Sequence, residues 1–304
     1  MNTVSAFIAI VGRPNVGKSS IMNRMLGQKV AIVSDKPQTT RTRIMGVLTQ
    51  GECQLVFVDT PGLHKPRTML GENMVKAVGD SVGDVDACAL VIDCSDLRSD
   101  LSPSPAEAEL IERFNKSKMQ AVLVINKVDL LEDKSKLLPI ISAYSALYDF
   151  AAVIPVSAKD GSGVEELIKE LSSFAIQSPH YFADDALTDQ SERTLAAEII
   201  REKLLRFLDK EVPHGVAVGV ERFADRVTSG GEDIIDIEAI IYCEAESHKG
   251  IIIGKKGAML KKVSSKARED MEKFFECKIN LSCWVKVKED WRNRQGLIHN
   301  FGVD

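Results

Sequence analysis

The sequence has few cysteines and no long apolar run, and both absences exclude classes of protein. Its six cysteines are scattered without a Cys-x-x-Cys pair, which excludes a zinc ribbon and argues against a disulfide scaffold. Its longest apolar stretches, such as Ala87 to Ile92, are too short to cross a bilayer. The first ten residues lack the basic start and long apolar core of a signal peptide. We therefore expect a cytoplasmic protein.

The average charge hides one basic stretch. With 44% hydrophobic and 27% charged residues, the composition argues against disorder and against a membrane protein. A net charge of −5 argues against a nucleic-acid binder, yet seven Lys and Arg and no Asp or Glu lie between His248 and Arg268. Such a stretch alone indicates only a solvated helix face. Its interpretation depends on the motif inside it.

The 304 residues exceed what one core usually supports, which predicts two domains. In the first half, short apolar runs alternate with helical patterns, as in an α/β domain whose mostly parallel sheet is covered on both faces. The predicted strands are Phe7 to Val11, Leu55 to Val58, Ala87 to Ile92, Ala121 to Ile125 and Val153 to Val156. The predicted helices are Lys18 to Leu26, Met69 to Val78, Ala106 to Asn115 and Lys136 to Leu147.

A segment without periodicity separates the domains. The last helix of the first half is predicted to start at Ser162 and Glu165, which have the spacing of a capping box. Residues 177–185 then show no period and contain a proline. We predict a first domain over residues 1–176, a linker over 177–185 and a second domain over 186–304.

The second half predicts a smaller α+β domain. An apolar helical face runs from Leu195 to Leu208 and stops before Pro213. Strands are predicted at residues 215–222, 234–243 and 279–288, and apolar residues alternate with polar ones from Ile235 to Ile241.

A phosphate-binding motif follows the first predicted strand and opens a helix. The motif G-x-x-x-x-G-K-[ST] lets backbone N–H groups surround phosphates at a helix N-terminus. Its lysine is expected to reach the β- and γ-phosphates, and its serine to bind Mg²⁺. The eight residues are Gly12, Arg13, Pro14, Asn15, Val16, Gly17, Lys18 and Ser19.

A second motif ends the strand Leu55 to Val58. In this Asp-x-x-Gly motif the carboxylate can hold Mg²⁺ through water, and the glycine N–H can sense a γ-phosphate. Alone it is also a common turn. The residues are Asp59, Thr60, Pro61 and Gly62.

Two further motifs predict a guanine site. One carboxylate can accept hydrogen bonds from both N1–H and N2–H₂ of guanine, which adenine does not match. Asn126, Lys127, Val128 and Asp129 supply that carboxylate at Asp129, and Ser157, Ala158 and Lys159 can present an N–H to the guanine carbonyl. Asn126 is expected to tie these loops together, with the Lys127 stem along the base.

All four motifs follow predicted strands in the right order. Ligands bind at the carboxyl edge of open parallel sheets. The first half is therefore predicted to be a P-loop domain that binds GTP and GDP with Mg²⁺.

Longer matches extend over nearly the whole chain. They include Pro37 to Arg41, Asp59 to His64, Glu211 to His214, His248 to Gly257, Trp284 to Lys288, and Asp290 to Arg292. With the phosphate-binding motif, these segments resemble bacterial Era-type GTPases.

The resemblance implies a GTPase domain followed by a type II KH domain. Era-type proteins bind the 3′ end of 16S ribosomal RNA and assist assembly of the small ribosomal subunit. Some associate peripherally with the cytoplasmic membrane. Carried over by motif, Thr40 rather than Thr39 is expected to bind Mg²⁺ in the GTP state. The protein is expected to be a monomer.

The basic stretch contains a G-x-x-G loop, the element that clamps single-stranded RNA in KH domains. Glycines let phosphates come close, and lysines neutralise them. Lys256 departs from many relatives, which carry glycine there, and the lysine adds charge but can stiffen the loop. Isoleucines before the loop are core residues or a groove wall. The predicted RNA contacts are Ile251, Ile253, Gly254, Lys255, Lys256, Gly257, Lys261 and Lys262.

The catalytic position predicts slow hydrolysis. Many GTPases place a water-orienting glutamine directly after Asp-x-x-Gly. Here that position is Leu63, which neither donates nor accepts a hydrogen bond. Asn15 resembles an asparagine that binds K⁺ in some GTPases lacking the glutamine, but it can equally brace the loop. The catalytic candidates are Asn15, Lys18, Thr40 and Gly62.

The favoured function is a nucleotide-controlled RNA-binding switch. The alternative is an RNA-binding scaffold with a structural nucleotide site. An ATP-driven RNA remodelling enzyme is disfavoured by Asp129 and by the lack of a second helicase-like core.

Overall fold

The computed structural model describes residues 3–36, 39–41, 43–62, 68–70, 72–74, 84–228 and 230–301. The chain divides into two compact units. Unit 1 comprises Met1–Ala31, Thr40–Arg67 and Gly71–Asp189, and unit 2 comprises Ile32–Thr39, Thr68–Leu70 and Gln190–Asp304. The limits of the domains and of the linker taken from the sequence stay predictions.

The described part of unit 1 contains one seven-stranded sheet. Six strands are ordered β2-β3-β1-β4-β5-β6, and β7 pairs with the start of β1. All pairs are parallel except those of β2 and β7. The strands are β1 Val4–Gly12, β2 Ile44–Gln50, β3 Cys53–Asp59, β4 Ala87–Asp93, β5 Ala121–Asn126, β6 Ala152–Pro155 and β7 Ile176–Gln177.

Helices cover both faces of this sheet. They are α1 Lys18–Leu26, α2 Pro105–Ser117, α3 Leu137–Ser145 and α4 Val164–Ser172. Because successive strand residues point to opposite faces, Ile8 and Ile10 join a core with α1 and α4, whereas Ala9 and Val11 join a core with α2 and α3. The predicted α/β domain with a mostly parallel sheet is confirmed.

Strand β2 and one helix differ from the sequence prediction. Strand β2 was not predicted, because Gly46 interrupts its apolar run and its last two residues are polar. Of the predicted helix Met69 to Val78, residues 69, 70 and 72–74 are helical, and the others lie outside the described residues.

The predicted capping box at the start of α4 is wrong. The residue before this helix is Gly163, with a φ of 76° and no side-chain cap. The Ser162 hydroxyl instead donates to Asp160 Oδ1 at 2.8 Å. A Cβ on Gly163 would lie 2.1 Å from the Pro155 carbonyl oxygen, so the chain turns there before the helix begins. A capping box does form at Ser104, the residue before α2.

The described part of unit 2 has the element order α-β-β-α-α-β followed by a short helix. Strands β8 and β9 are antiparallel, β9 and β10 are parallel, and β9 lies in the middle. The elements are α5 Glu192–Phe207, β8 Ala217–Val227, β9 Asp233–Cys243, α6 Glu246–Ile253, α7 Ala258–Phe274, β10 Lys278–Val287 and α8 Gln295–Asn300. This is the predicted type II KH order.

The core of unit 2 lies between its sheet and helices α5 and α7. The inward residues of β9 are Ile235, Ile237, Ala239 and Ile241, which are at most 7% exposed. They pack with Ile200 of α5 and Met271 of α7. The predicted alternation along this strand is confirmed. Within the described ranges, no helix is long and apolar enough to span a bilayer.

Candidate nucleotide and RNA sites

The phosphate-binding motif lies between β1 and α1, and two of its glycines are required by close contacts. Gly12 has a φ of 149°, and a Cβ there would lie 2.4 Å from the Val91 carbonyl oxygen. Gly17 has a φ of 101°, and its Cβ would lie 2.2 Å from Asn126 Nδ2. Only glycine leaves room for both neighbours, so these residues fix the path of the loop.

Lys18 is held inside the loop. Its Nζ donates to the carbonyl oxygens of Gly12 at 3.2 Å and Arg13 at 2.9 Å. Burial lowers the pKa of Lys18 to about 8, although the charge of Asp59 opposes this shift. A buried cation at a helix N-terminus favours an anionic ligand.

Three oxygen-bearing side chains converge beside Lys18. Asp59 Oδ2 accepts from Ser19 Oγ at 2.5 Å and from Thr40 Oγ1 at 3.3 Å, and the two hydroxyls lie 3.1 Å apart. Asp59 Oδ1 is buried and has no hydrogen-bond partner among the described residues. Burial raises the pKa of Asp59, with Lys18 opposing. Oxygen donors with one buried, unpaired carboxylate oxygen fit Mg²⁺.

The rest of the Asp-x-x-Gly motif adjoins the phosphate loop. Thr60 Oγ1 donates to the Ile10 carbonyl at 2.9 Å. Gly62 follows Pro61, and a Cβ on Gly62 would lie 2.6 Å from the Pro14 nitrogen. The chain can therefore approach the phosphate loop only with glycine at this position. Leu63 lies outside the described residues.

Asn126 ties the phosphate loop to the predicted base-binding loops. Its Nδ2 donates to the Val16 carbonyl at 2.7 Å, and its Oδ1 accepts from the Ala158 N–H at 3.2 Å. The Val128 N–H donates to the Val156 carbonyl at 3.3 Å, which joins the same loops again. The predicted tie is present.

Asp129 points at the other base-binding loop. Its Oδ1 accepts from Ser157 Oγ at 2.8 Å, and its Oδ2 lies 3.7 Å from Lys159 Nζ. Lys127 has a φ of 64°, and its Nζ lies 2.5 Å from Asp93 Oδ2. These contacts fix the carboxylate and the lysine stem on neighbouring loops.

The structure brings the predicted nucleotide residues to one edge of the sheet. Strands β1, β3 and β5 end at Gly12, Asp59 and Asn126, and β6 ends shortly before Ser157. In a parallel sheet, this carboxyl edge is where ligands bind.

In unit 2, the G-x-x-G loop joins α6 to α7 in left-handed backbone. Gly254, Lys256 and Gly257 have φ values of 71°, 51° and 78°. A Cβ on Gly254 would lie 2.7 Å from Met259 Cβ, so this glycine is also sterically required. Lys256 adopts a conformation that glycine favours, so its backbone carries strain that a glycine there would not.

The predicted RNA residues surround this loop. Lys255, Lys256, Lys261 and Lys262 are exposed, and Lys262 Nζ lies 4.2 Å from the centre of the Phe207 ring. Ile251 is 49% exposed and Ile253 half-buried, whereas Ile252 is fully buried in the core.

Of the two tryptophans, one is a packing residue. Trp291 is fully buried and donates from Nε1 to the Gly215 carbonyl at 2.9 Å. Trp284, on β10, is 49% exposed.

Comparison with known proteins decides the family. The family described as 50S ribosome-binding GTPase matches residues 7–127, and the KH domain family matches residues 211–292. GTPase Era of Ruminiclostridium cellulolyticum is 47% identical over 302 residues, covering 99% of this chain and 98% of the relative. GTPase Era of Clostridioides difficile is 48% identical over 300 residues, with coverage of 99% and 98%. The chain belongs to the Era GTPase family.

Solved structures of Era agree with this assignment. A Tyr-to-Ala variant of Aquifex aeolicus Era bound to GDP·AlF₄⁻ superposes with a TM-score of 0.92 at 34% identity, covering 99% of both chains. Era in complex with MgGDPNP and nucleotides 1506–1542 of 16S ribosomal RNA gives a TM-score of 0.91 at 34% identity and the same coverage. The protein is thus an Era GTPase that hydrolyses GTP and carries a KH domain.

One feature of this Era GTPase was missed from the sequence: three consecutive buried charges on α5. Arg201, Glu202 and Lys203 are 2%, 0% and 4% exposed. Lys203 Nζ lies 2.8 Å from Glu202 Oε2 and also pairs with Asp270 on α7. The sequence could have indicated this burial, because apolar pairs lie on both sides of the triplet and leave α5 no wholly solvated face. The pairs are Ile199 with Ile200 and Leu204 with Leu205.

The same charges hold the segment Ile32–Thr39, which belongs to unit 2. Glu202 Oε1 accepts from the Val33 N–H at 3.1 Å and from Arg206 Nη2 at 3.0 Å. Arg206 also donates to the Val33 carbonyl at 3.2 Å, and Arg201 donates to the Thr39 carbonyl. Both ends of this segment are therefore bound to α5.

Proposed function

We propose that this Era GTPase is a guanine-nucleotide switch whose KH domain binds the 3′ end of 16S ribosomal RNA, and that it assists assembly of the small ribosomal subunit. One observation carries the proposal: the same chain has a guanine-type nucleotide site in unit 1 and a glycine-framed, lysine-bearing loop in unit 2. The relative captured with MgGDPNP and 16S nucleotides supports it, since the identity of 34% extends over 99% of both chains.

In the nucleotide site, Lys18 would contact the β- and γ-phosphates, and Ser19, Thr40 and Asp59 would hold Mg²⁺. When bound, Mg²⁺ neutralises charge on the phosphates during transfer. Lys18 exchanges its two carbonyl acceptors for phosphate oxygens, and the phosphate charge keeps it protonated despite its lowered pKa. The hydroxyls of Ser19 and Thr40, which bond Asp59 Oδ2 in this structure, would be ligands of that ion.

Guanine is selected by Asp129. Its carboxylate accepts from both donors of the guanine edge, while Ser157 and Lys159 keep it oriented. The Lys127 stem lies along the base. An adenine in the same place would offer the carboxylate no matching pair of donors, which opposes binding.

Hydrolysis is slow without a further element to position water. Leu63 offers no hydrogen bond, so Gly62 and Thr40 order the γ-phosphate while Asn15 either binds K⁺ or braces the loop. Asn15 has a φ of 63°, so it lies in left-handed backbone at the exposed tip of the phosphate loop.

The segment Ile32–Thr39 is the route by which nucleotide state reaches the RNA-binding unit. Its Val33 is hydrogen-bonded to Glu202 and Arg206 of unit 2, and the residue after Thr39 is Thr40, the proposed Mg²⁺ ligand. A change in the position of Thr40 would therefore act on residues that are hydrogen-bonded to α5. Glu202 in turn contacts Lys203, which pairs with Asp270 on α7.

Single-stranded RNA is clamped by the G-x-x-G loop. Gly254 and Gly257 let phosphates approach, Lys255 and Lys256 neutralise them, and Lys261 and Lys262 extend the basic surface along α7. Ile251 and Ile253 form a groove wall for bases. Their exposure leaves apolar surface available beside the loop.

The test is RNA crosslinking of the full chain to a short RNA with the 16S 3′-end sequence, with a scrambled RNA as control. It is run with GDP and with a non-hydrolysable GTP analogue, and the crosslinked bases are sequenced. We expect crosslinks at the α6–α7 loop that depend on the nucleotide. Equal RNA affinity in both nucleotide states would favour the scaffold alternative.

Two matched variants sharpen this test. Replacing Gly254 and Gly257 by Asp should abolish RNA binding and leave GTP affinity nearly intact, because two carboxylates then face the phosphates. Replacing Gly230 and Gly231 by Asp, in the β8–β9 turn of the same unit, is the control and should leave RNA binding unchanged. Normal binding by the loop variant would place the RNA surface elsewhere.

Peripheral membrane association is proposed from the family alone. Flotation of the full chain with anionic and neutral vesicles tests it. Absence from both floated fractions, with RNA binding intact, would reject it.

A further inference from the structure

Arg13, the second residue of the phosphate loop, turns its guanidinium onto protein carboxylates. Its Nε donates to Glu107 Oε1 at 2.7 Å, its Nη1 to Asp96 Oδ2 at 3.2 Å and its Nη2 to the Asp96 carbonyl at 2.9 Å. Asp96 is 77% exposed, whereas Glu107 is 1% exposed. Glu107 is thus the buried partner of the pair, and exposed ion pairs contribute little by comparison.

Every oxygen of the Glu107 carboxylate is occupied. While Oε1 faces Arg13, Oε2 accepts from the Ser104 N–H at 2.7 Å and from the Tyr144 hydroxyl at 3.1 Å. Tyr144 is fully buried, and burial, followed by the charge of Glu107, raises its pKa. The carboxylate is therefore fixed between the start of α2 and the side of α3, and it offers Arg13 one defined position.

Arg13 transmits that position to the phosphate loop. Its carbonyl oxygen accepts from Lys18 Nζ at 2.9 Å, so the residue is bonded at both its backbone and its side chain. The next residue, Pro14, is the one against which Gly62 packs. A shift of Arg13 would therefore move both the carbonyl oxygen that accepts from Lys18 and the neighbouring Pro14, which contacts Gly62.

We infer that Glu107 is a positioning residue for the phosphate loop, acting through Arg13. The inference rests on the proposed nucleotide site. Glu107 is not among the residues proposed to contact the nucleotide. It sets the place of the loop whose N–H groups do, and it is 94 positions away in the chain from the arginine that it holds.

The test compares Glu107→Gln with Tyr144→Phe in the full chain. Both changes remove part of one buried network, but only the first removes the buried charged partner of Arg13. The readouts are the affinity for Mg·GDP, the ³¹P NMR shift of the bound β-phosphate, and the midpoint of thermal unfolding. We expect Glu107→Gln to weaken GDP by about tenfold or more and to move the ³¹P signal, since small misplacements are costly.

Tyr144→Phe should lower the unfolding midpoint and leave the ³¹P signal in place. Should Glu107→Gln fail to fold, Arg13→Gln removes the same contact. The Arg13 side chain is 22% exposed, whereas that of Glu107 is 1% exposed, so replacing it disturbs the core less. When both fold, the double variant should bind GDP no worse than the poorer single one, because the pair acts as a unit.

A ³¹P signal and GDP affinity unchanged in both Glu107→Gln and Arg13→Gln would overturn the inference and leave the pair a stability feature. An equal ³¹P change in Tyr144→Phe would also overturn it, since the effect would not be specific to the arginine. If unmodified protein gave no bound ³¹P signal at all, the proposed nucleotide site itself would have failed, which is a distinct result.

Discussion

The two lysines of the G-x-x-G loop permit a prediction with a defined magnitude. Lys255 and Lys256 are exposed on the loop between α6 and α7, and neither forms a hydrogen bond or ion pair through its side chain with a described residue. Changing both to Ala therefore breaks no internal contact of the described fold. The fold of unit 2 should persist, and only the attraction for RNA phosphates should change.

The magnitude follows from counterion release. Each phosphate neutralised on a single strand contributes about 0.7 to the slope of log affinity against log salt. Losing two contacts should flatten that slope by about 1.4. Between about 50 and 200 mM salt, the double variant should then lose about sevenfold less affinity than the unmodified protein. The weakening should be similar for every RNA sequence, because phosphate contacts carry no base information.

The assay is a salt titration of a short single-stranded RNA, with GTP affinity measured in parallel. The control variant changes Lys273 and Lys278 to Ala, two exposed lysines of the same unit away from the loop. Its slope should match that of the unmodified protein. An unchanged slope in the Lys255 and Lys256 variant would refute the reasoning, and so would an equal flattening in the control.

Three further predictions concern specificity, backbone and pH. Asp129→Asn should lose GTP by about 10⁴-fold and gain xanthosine triphosphate, as measured by competition binding. Gly17→Ala should weaken GDP binding by about tenfold or more, because its Cβ would lie 2.2 Å from Asn126 Nδ2 at a φ of 101°. Hydrogen bonds from Arg226 and then Asn280 lower the pKa of Asp236 from 3.8 to about 2. That carboxylate therefore stabilises the fold above about pH 4 and loses this contribution as the pH falls through 2, so Asp236→Asn should lower the unfolding midpoint at about pH 6 but not near pH 2.

Each of these three predictions has a control substitution elsewhere in the chain. Asp133→Asn, an exposed aspartate, should leave nucleotide preference unchanged, and tight GTP binding by Asp129→Asn would remove Asp129 from the site. Gly51→Ala, with a φ of 61° and open space around it, carries similar strain away from the site and should not affect GDP. Asp225→Asn is the exposed control for pH, and the same difference from unmodified protein at both pH values would contradict the role of Asp236.

The nucleotide site could be predicted from the sequence because its residues act through short, local motifs. Gly12 to Ser19 and Asp59 to Gly62 each lie within one loop, so their spacing alone carries the geometry. The parallel sheet was predictable for a related reason, since strands buried on both faces are continuous apolar runs. The tie through Asn126 was also predicted, because its motif follows a strand and the carboxyl ends of parallel strands lie at one edge of the sheet.

Other features could not be predicted because they depend on distant partners. Glu107 resembles any acidic residue in the first turn of a helix, and only the fold reveals that Arg13 faces it. Glu202 resembles a solvated helix residue, but it is fully buried against Val33. Ser162 shows the opposite error, because a capping spacing was present while the turn at Gly163 removed the cap.

Lys256 is informative because a lysine occupies a left-handed backbone conformation that favours glycine. A left-handed conformation costs a non-glycine residue about 1–2 kcal/mol, and the exposed lysine recovers none of this through a described hydrogen bond or ion pair. What lysine adds over glycine is a cation at the tip of a loop that already allows phosphates to approach. The fold alone therefore gives no reason for this residue, whereas attraction for an RNA backbone gives one. A phosphate contact by Lys256 is therefore the role that we propose for this cation, and it would offset the cost of its backbone.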